Sequence, residues 1–238
     1  MPTFNEEAYV EAALRSVRFA DEVIVIDSFS TDRTPEIAKK FADLFLQREF
    51  DNFSNQKNHA LQYATGDWIL FLDADERIGY PLQMEIKVAM ANGKHGGYKV
   101  SFPHFFMNRF LYHHRSRVLR LVKKQGVHFT GSVHEKLHCE GSIGLLKNPV
   151  QHFTYKGLEH YIEKRESYAW FQAEQLQDKG KKATYFHLMA KPLLRFLSSY
   201  VIKGGFKDGI PGLAISTINA YGVFSRYVKL RLLQKGMR

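Results

Sequence analysis

The sequence is poor in cysteine and in long apolar stretches, and both shortages exclude classes of protein. Its single cysteine, Cys139, excludes an internal disulfide and any site built on several cysteines, which fits a reducing cytoplasm. No stretch reaches the roughly 18 apolar residues of a membrane-spanning helix, and the N-terminus lacks a signal-peptide pattern. These features predict a cytoplasmic protein without a metal site built on several cysteines.

Acidic residues are scarce in the C-terminal part of the chain. The 238 residues carry a net charge of +10, and 45% of them are hydrophobic. Residues 1–80 contain 8 Lys and Arg against 15 Asp and Glu, whereas residues 185–238 contain 9 against one acid, Asp208. The basic residues of this C-terminal stretch alternate with apolar segments, and no nucleic-acid-binding motif accompanies them. This pattern favours an anionic membrane surface as the partner, rather than nucleic acid.

Helix and strand patterns alternate over the first 80 residues, which indicates a largely parallel sheet with flanking helices. The patterns predict helices over 8–18, 34–45 and 56–63 and strands over 23–26 and 68–72. Further on they predict a helix over 84–90, strands over 98–106 and 118–122 separated by a basic and aromatic segment, a loop-rich stretch over 131–144, and helices over 158–177, 188–203 and 212–233.

The chain therefore divides into a predicted α/β domain, 1–155, and a helical extension, 156–238. The tail helices are amphipathic with basic flanks, so they either cap the first domain or contact a membrane surface. Anionic lipid would attract each nearby basic residue by about 1 kcal/mol.

Three carboxylates follow directly after the apolar run 68–72. Asp73 and Asp75 lie two residues apart on an extended segment, so we expect them to point the same way. The carboxyl end of a strand is where open α/β sheets hold ligands, and paired oxygen ligands suit a divalent cation. A solvated acidic turn is the alternative interpretation.

Several segments, taken in order and spacing, resemble the family 2 glycosyltransferases, which have the GT-A fold. The matching segments are residues 2–7 (PTFNEE), 21–28 (DEVIVIDS), 30–34 (STDRT), 56–58 (QKN), 64–67 (ATGD) and 72–76 (LDADE). Residues 20–22, 73–77 and 133–135 are similar to the bacterial envelope branch, which includes lipopolysaccharide core β-glucosyltransferases. The resemblance implies an inverting, metal-dependent transfer from a nucleotide-sugar, most simply a UDP-sugar, to a cell-envelope glycan.

The resemblance implies that 1–155 is the catalytic domain, with a nucleotide-binding part, 1–80, and an acceptor-side part, 81–155. Because the acceptor of this branch is usually lipid-linked, we favour membrane contact for the extension 156–238.

The resemblance also implies roles for individual residues. Thr3 and Glu6 would line the nucleotide pocket, and Asp27 would contact the base or ribose. Asp75 would bind Mg²⁺ or Mn²⁺ directly, with Asp73 toward the ribose or the metal. Lys57 could reach the diphosphate as a point charge. The alternatives for these residues are a helix start for Glu6 and an exposed helix position for Lys57.

The acceptor side is assigned from the later segments. Glu135 is expected to be the general base, with His134 orienting the site or acceptor. His152 is a possible third metal ligand. Arg117 and Arg120 are expected to bind diphosphate or an anionic acceptor. Ordinary surface positions, or a packed histidine in the case of His152, are the alternatives.

The resemblance has one gap: members normally begin with a full strand before the segment that corresponds to residues 2–7. The first strand is therefore expected to be missing here. Three other functions stay open: transfer to a polyprenyl phosphate, a nucleotidyltransferase, and a membrane-associated scaffold with an inactive site. The expected location is the cytoplasmic side, peripheral to the inner membrane.

Overall fold

The computed structural model describes residues 1–132, 135–153 and 158–237. The chain divides into two compact units. Unit 1 comprises residues 1–102 and 116–153, and unit 2 comprises residues 103–115 and 154–238. The sequence pattern places residues 103–115 in the first domain, but in the structure they belong to the unit that contains the C-terminal helices.

The described part of the chain contains ten strands, many of them short. In chain order they are β1 (Pro2–Thr3), β2 (Ile24–Asp27), β3 (Leu44–Gln47), β4 (Trp68–Leu70), β5 (Glu76–Ile78), β6 (Gly97–Phe106), β7 (Arg109–Lys123), β8 (His128–Thr130), β9 (Lys136–His138) and β10 (Ile143–His152). They form a sheet in the order β1-β2-β3, a second in the order β4-β7-β6-β10-β5, and the pair β8-β9.

Seven α-helices connect or follow these strands in the described residues. They are α1 (Val10–Ser16), α2 (Thr34–Ala38), α3 (Phe53–Leu61), α4 (Tyr80–Asn92), α5 (Leu158–Asp178), α6 (Tyr185–Leu197) and α7 (Ile210–Leu233). A π-helical turn, Ser198–Ile202, and a 3₁₀ turn, Gly205–Asp208, lie between α6 and α7.

The first sheet is parallel, and its register brings polar residues to one edge. Thr3 pairs with Asp27, and Asp27 pairs with Gln47, at the carboxyl ends of the three strands. In parallel sheets this edge is where ligands bind. The expectation of one helix over 34–45 was wrong, because α2 ends at Ala38 and the chain then enters β3.

The second sheet is mixed. Strand β4 pairs antiparallel with β7, β6 pairs parallel with β10, and β10 pairs antiparallel with β5. Apolar residues of this sheet and α4, including Leu82, Ile86, Val100 and Leu121, form the main core of unit 1. The basic and aromatic segment expected to separate two strands is instead part of the continuous strand β7.

A cavity of about 390 Å³ lies in unit 1 beside β2 and β4, with Ile26, Ile69 and Phe71 among its lining residues. Strand β1 comprises Pro2 and Thr3, which pair with Ile26 and Asp27 of β2. The α-amino group of Met1 donates a hydrogen bond to the carbonyl oxygen of Ile24 at 2.7 Å. Burial of this amino group lowers its pKa from 8.0 to about 5.

Unit 2 is built around α7, against which α5 and α6 pack. One cluster of buried residues joins Ala173, Ala183, Tyr227 and Leu230. Many apolar residues of α7 therefore face the interior of this unit. Among the described residues, no helix has the length and apolar character needed to cross a membrane.

Candidate functional site

The acidic turn after β4 forms a compact charged cluster with Arg120 of β7. The guanidinium of Arg120 donates to Asp73 Oδ2 at 2.8 Å and to Glu76 Oε1 at 2.5 Å. The backbone N–H of Asp73 donates to Glu76 Oε2 at 3.0 Å. Glu76 has 0% exposure, so its charge is compensated inside the protein by these contacts.

The two carboxylates of this cluster are pushed in opposite directions. Burial raises the pKa of Glu76, and the charge of Asp73 raises it further against the opposing effect of Arg120. Burial alone would raise the pKa of Asp73, but Arg120 and Lys57 together hold it well below its usual range. Asp73 is therefore the ionised partner of Arg120.

Asp75 points to a different partner. Its Oδ2 lies 3.0 Å from Nε2 of His152, at the end of β10. Burial would lower the pKa of His152, but the hydrogen bond and charge of Asp75 raise it overall. The expectation that Asp73 and Asp75 point the same way was wrong, because the chain turns between them and the N–H of Glu76 bonds to the carbonyl of Asp73 at 3.0 Å.

Three of these residues could together hold a metal ion. Ligand atoms of Asp75, Glu76 and His152 all lie within 4.8 Å of one another. The carboxylate oxygens suit Mg²⁺ or Mn²⁺, and because an imidazole is typical of transition-metal sites, the set fits Mn²⁺ better than Mg²⁺. Both oxygens of Glu76 are already engaged by Arg120 and the backbone, so Asp75 and His152 are the freer ligands. Sequence reasoning missed Glu76, which the β10–β5 register places opposite His152.

Asp27 lies at the neighbouring edge, at the end of β2, and is fully buried. It accepts hydrogen bonds from the hydroxyl of Thr3 at 3.0 Å and from the backbone N–H of Ser30 at 2.9 Å, and Gln47 Nε2 lies at 3.3 Å. These bonds hold the loop after β2 in place. Contact of Thr3 and Asp27 with a nucleotide stays a prediction.

The loop after β2 is held against the segment after β1 by further polar contacts. The backbone N–H of Asn5 donates to Ser30 Oγ at 2.9 Å, and the N–H of Glu6 donates to Thr34 Oγ1 at 2.7 Å. Asn5 and Phe29 both have positive φ, +53° and +59°. A bulky side chain in this region is unusual and is often found at functional sites.

Lys57 connects the acidic turn to the segment that carries Glu135. Its ammonium lies 2.6 Å from Glu135 Oε1 and 3.6 Å from Asp73 Oδ1, and only 5% of its side chain is exposed. The interpretation of Lys57 as an exposed helix residue is therefore wrong. Asn58, the next residue of α3, bonds through its side chain to both backbone groups of Phe129 at 2.8 and 2.9 Å. Helix α3 thus fixes the β8–β9 hairpin beside the acidic turn.

The remaining predicted residues fall in different surroundings. Arg117 is exposed, whereas Arg120, three positions later on the same strand, is bonded to the acidic turn. Because the spacing is odd, the two arginines lie on opposite faces of β7, and the structure does not bring them together. His134 lies outside the described residues.

Comparison with known proteins gives concordant matches. The sequence model of the family described as Glycosyl transferase family 2 matches residues 1–154. A glycosyltransferase of Rickettsia typhi is 30% identical over 249 residues, covering 97% of this chain and 85% of its own. LpsC of Rhizobium meliloti, a lipopolysaccharide core biosynthesis glycosyltransferase, is 26% identical over 239 residues, covering 95% and 88%.

Among solved structures, S. aureus TarS in complex with UDP-GlcNAc aligns over 99% of this chain and 90% of its own, with 14% identity and a TM-score of 0.49. The expected fold class, a mixed α/β fold of the GT-A type followed by helices, is confirmed.

Proposed function

The chain belongs to glycosyl transferase family 2 and is a glycosyltransferase acting on a nucleotide-sugar, and we propose that it is an inverting, metal-dependent enzyme of lipopolysaccharide core synthesis. The observation that carries the proposal is the pairing of Asp75 with His152 beside the Asp73–Arg120 ion pair. Asp75 and His152 offer an oxygen and a nitrogen ligand to a metal ion, and Arg120 adds a fixed positive charge beside them. This combination suits a diphosphate that binds together with a divalent cation.

The donor end of the reaction is assigned to the acidic turn. Asp75 and His152 would hold Mg²⁺ or Mn²⁺, which neutralises the charge that develops on the departing nucleoside diphosphate. Asp73 is fixed by Arg120 and Lys57, so it can accept a hydrogen bond from the ribose without moving. Thr3, Glu6 and Asp27 are assigned to the nucleotide, most simply a uridine diphosphate.

Glu135 is assigned as the general base. An acceptor hydroxyl attacks the anomeric carbon, its proton passes to Glu135, and the bond to the diphosphate breaks with its electron pair on the leaving group. Lys57 supports this assignment, because one ammonium contacts both Glu135 and the donor-side carboxylate Asp73. A separate base is needed only when the acceptor oxygen still carries a proton.

The acceptor is proposed from the similarity to LpsC, whose printed role is in lipopolysaccharide core biosynthesis. Such a glycan is attached to lipid, so the proposed location is the cytoplasmic side of the inner membrane, with the basic C-terminal part facing anionic lipid. His134 and Arg117 stay candidates for acceptor binding.

The first test is nucleoside diphosphate release from a panel of UDP- and GDP-sugars with Mn²⁺. We expect the wild type to hydrolyse one of these donors slowly. The variant Asp75→Asn should hydrolyse the same donor at least about 100-fold more slowly than the wild type. Asp67→Asn is the matched control, because Asp67 is an exposed aspartate eight residues earlier. Equal rates in the two variants would contradict the metal assignment, and release of pyrophosphate would indicate a nucleotidyltransferase.

The second test separates the acceptor classes. With a sugar hydroxyl as acceptor, Glu135→Gln should lower kcat by roughly 100- to 10,000-fold, the usual contribution of a general base. A polyprenyl phosphate is already ionised, so transfer to it should survive this substitution. Full activity of Glu135→Gln toward a core oligosaccharide would refute the assignment of the base.

A further inference from the structure

Helix α6 presents an apolar surface to solvent. None of its residues is buried, and the side chains with the largest exposure are Tyr185 at 89% and Met189 at 72%. The exposed apolar residues of the helix are Tyr185, Phe186, Met189, Leu193, Leu194 and Leu197. We call these six residues the α6 face.

Helix α6 has an outward apolar side in addition to its inward one, where Leu188 packs on the buried cluster that includes residues of α5 and α7. Phe186, Met189, Leu193 and Leu197 recur at three- and four-residue intervals and so share the outward side. A surface helix normally has one apolar stripe, which it turns toward the core. The second, exposed stripe indicates that the α6 face is covered by a partner.

The charges near the α6 face select the partner. Residues 185–238 contain a single acid, Asp208, and it is buried and lies 3.1 Å from the rings of both His113 and His114. The exposed charges of the neighbouring segments are basic, and they include Arg195, Lys203 and Lys207. Among described residues 185–237 no Asp or Glu side chain is exposed, and the nearest exposed acid before them along the chain is Asp178, at the end of α5.

Beyond its first residue, helix α7 exposes less of its apolar side chains: Leu213, Tyr221 and Phe224 are 42%, 48% and 40% exposed. Lys229 of α7 is bonded to Glu166 of α5, and Arg226 bonds to Gln172 at 3.0 Å. Tyr227 and Leu230 are buried in the interior of unit 2. The sequence predicts that both tail helices offer apolar and basic residues to lipid. In the structure the α6 face is the main exposed apolar surface of the two helices.

We propose that the α6 face docks onto an anionic lipid bilayer, with Phe186, Met189 and Leu193 inserted among the acyl chains. With 13 residues, α6 is about 20 Å long, so it lies in the plane of the interface rather than across the roughly 30 Å hydrocarbon core. Arg195, Lys203 and Lys207 would contact the anionic headgroups. The proposal rests on the proposed function, because a lipid-linked acceptor is what would bring the enzyme to a membrane.

The test is co-sedimentation of the full chain with vesicles made of equal parts phosphatidylethanolamine and phosphatidylglycerol. We expect the double variant Met189→Ser, Leu193→Ser to bind about 10-fold or more weakly than the wild type. The matched control is Met84→Ser, Val88→Ser, two residues with the same spacing on α4 that are 44% and 56% exposed. The control should bind like the wild type.

A charge variant and neutral vesicles complete the design. Lys203→Gln, Lys207→Gln should bind the anionic vesicles about 10-fold or more weakly, and vesicles of phosphatidylcholine alone should bind the wild type only weakly. Circular dichroism and thermal melting check that every variant is folded. Hydrolysis of the nucleotide-sugar by water is measured in parallel, and it should be unchanged in the α6 variant, so failure of docking and failure of the proposed enzymatic function are separated.

Two outcomes would overturn the proposal. One is equal vesicle binding by the wild type and the α6 variant. The other is a wild type that ignores anionic vesicles but forms a dimer by light scattering, with the α6 variant monomeric. In that case a second copy of this chain covers the α6 face.

Discussion

Arg120 is the cation on which the acidic turn depends, and its removal is the most direct test of the site. It bonds to Asp73 at 2.8 Å and to Glu76 at 2.5 Å, and its own side chain is 12% exposed. In Arg120→Met a side chain of similar length remains, but buried Glu76 loses its counter-charge. Removing one partner of a buried ion pair costs about 3–5 kcal/mol.

The assay is urea denaturation at neutral pH, with Arg117→Met as the matched control. Arg117 lies on the same strand but is exposed, so its replacement should change the free energy of unfolding by no more than about 0.5 kcal/mol. Arg120→Lys keeps the charge and loses the two-pronged geometry, so its loss should be intermediate. Equal stability of the two Met variants would refute the reasoning.

The pH dependence distinguishes a charge effect from a packing defect. Burial already raises the pKa of Glu76, and without Arg120 the carboxyl has a stronger preference for its protonated form. A carboxyl whose pKa is higher in the folded state than in the unfolded state binds its proton at a higher pH in the folded state. Lowering the pH therefore favours the folded state, and the destabilising effect of the buried charge diminishes. The stability difference between wild type and Arg120→Met should therefore shrink toward acidic pH. A difference independent of pH would indicate lost packing alone.

Two further predictions concern stability. In Gly212→Ala the added Cβ would lie 2.0 Å from the carbonyl oxygen of Gly205, so we expect a loss of about 1–3 kcal/mol in thermal melts. Phe29 has φ +59°, so Phe29→Gly should be about 1 kcal/mol more stable than Phe29→Ala in urea, and no difference would argue against strain.

Some elements could be predicted from local pattern and others could not. The apolar run before Asp73 and the β-branched run before Asp27 were recognised as strands because short apolar runs ending in polar turns are typical of α/β sheets. For the residues of β3 the sequence pattern instead predicts the end of a helix. These residues continue a helical spacing, and only the pairing with β2 makes them a strand.

The same limit applies to the site residues. Glu76 was not expected to join the cluster, since its partners are Arg120 on β7 and, through the register of β10, His152. Lys57 and Glu135 are 78 residues apart in sequence, and their contact depends on how α3 holds the β8–β9 hairpin. Such pairings involve long-range contacts that carry no local sequence signal.

The sequence by itself determined the family, the mixed α/β class and the charge asymmetry between the two ends of the chain. These depend on residue identity and spacing along the chain, which are local properties. Only the tertiary structure decided that Asp73 and Asp75 take different partners and that α6 turns more of its apolar side chains to solvent than α7 does. Both outcomes depend on which distant segments pack together, because a side chain's orientation is set by its neighbours in space.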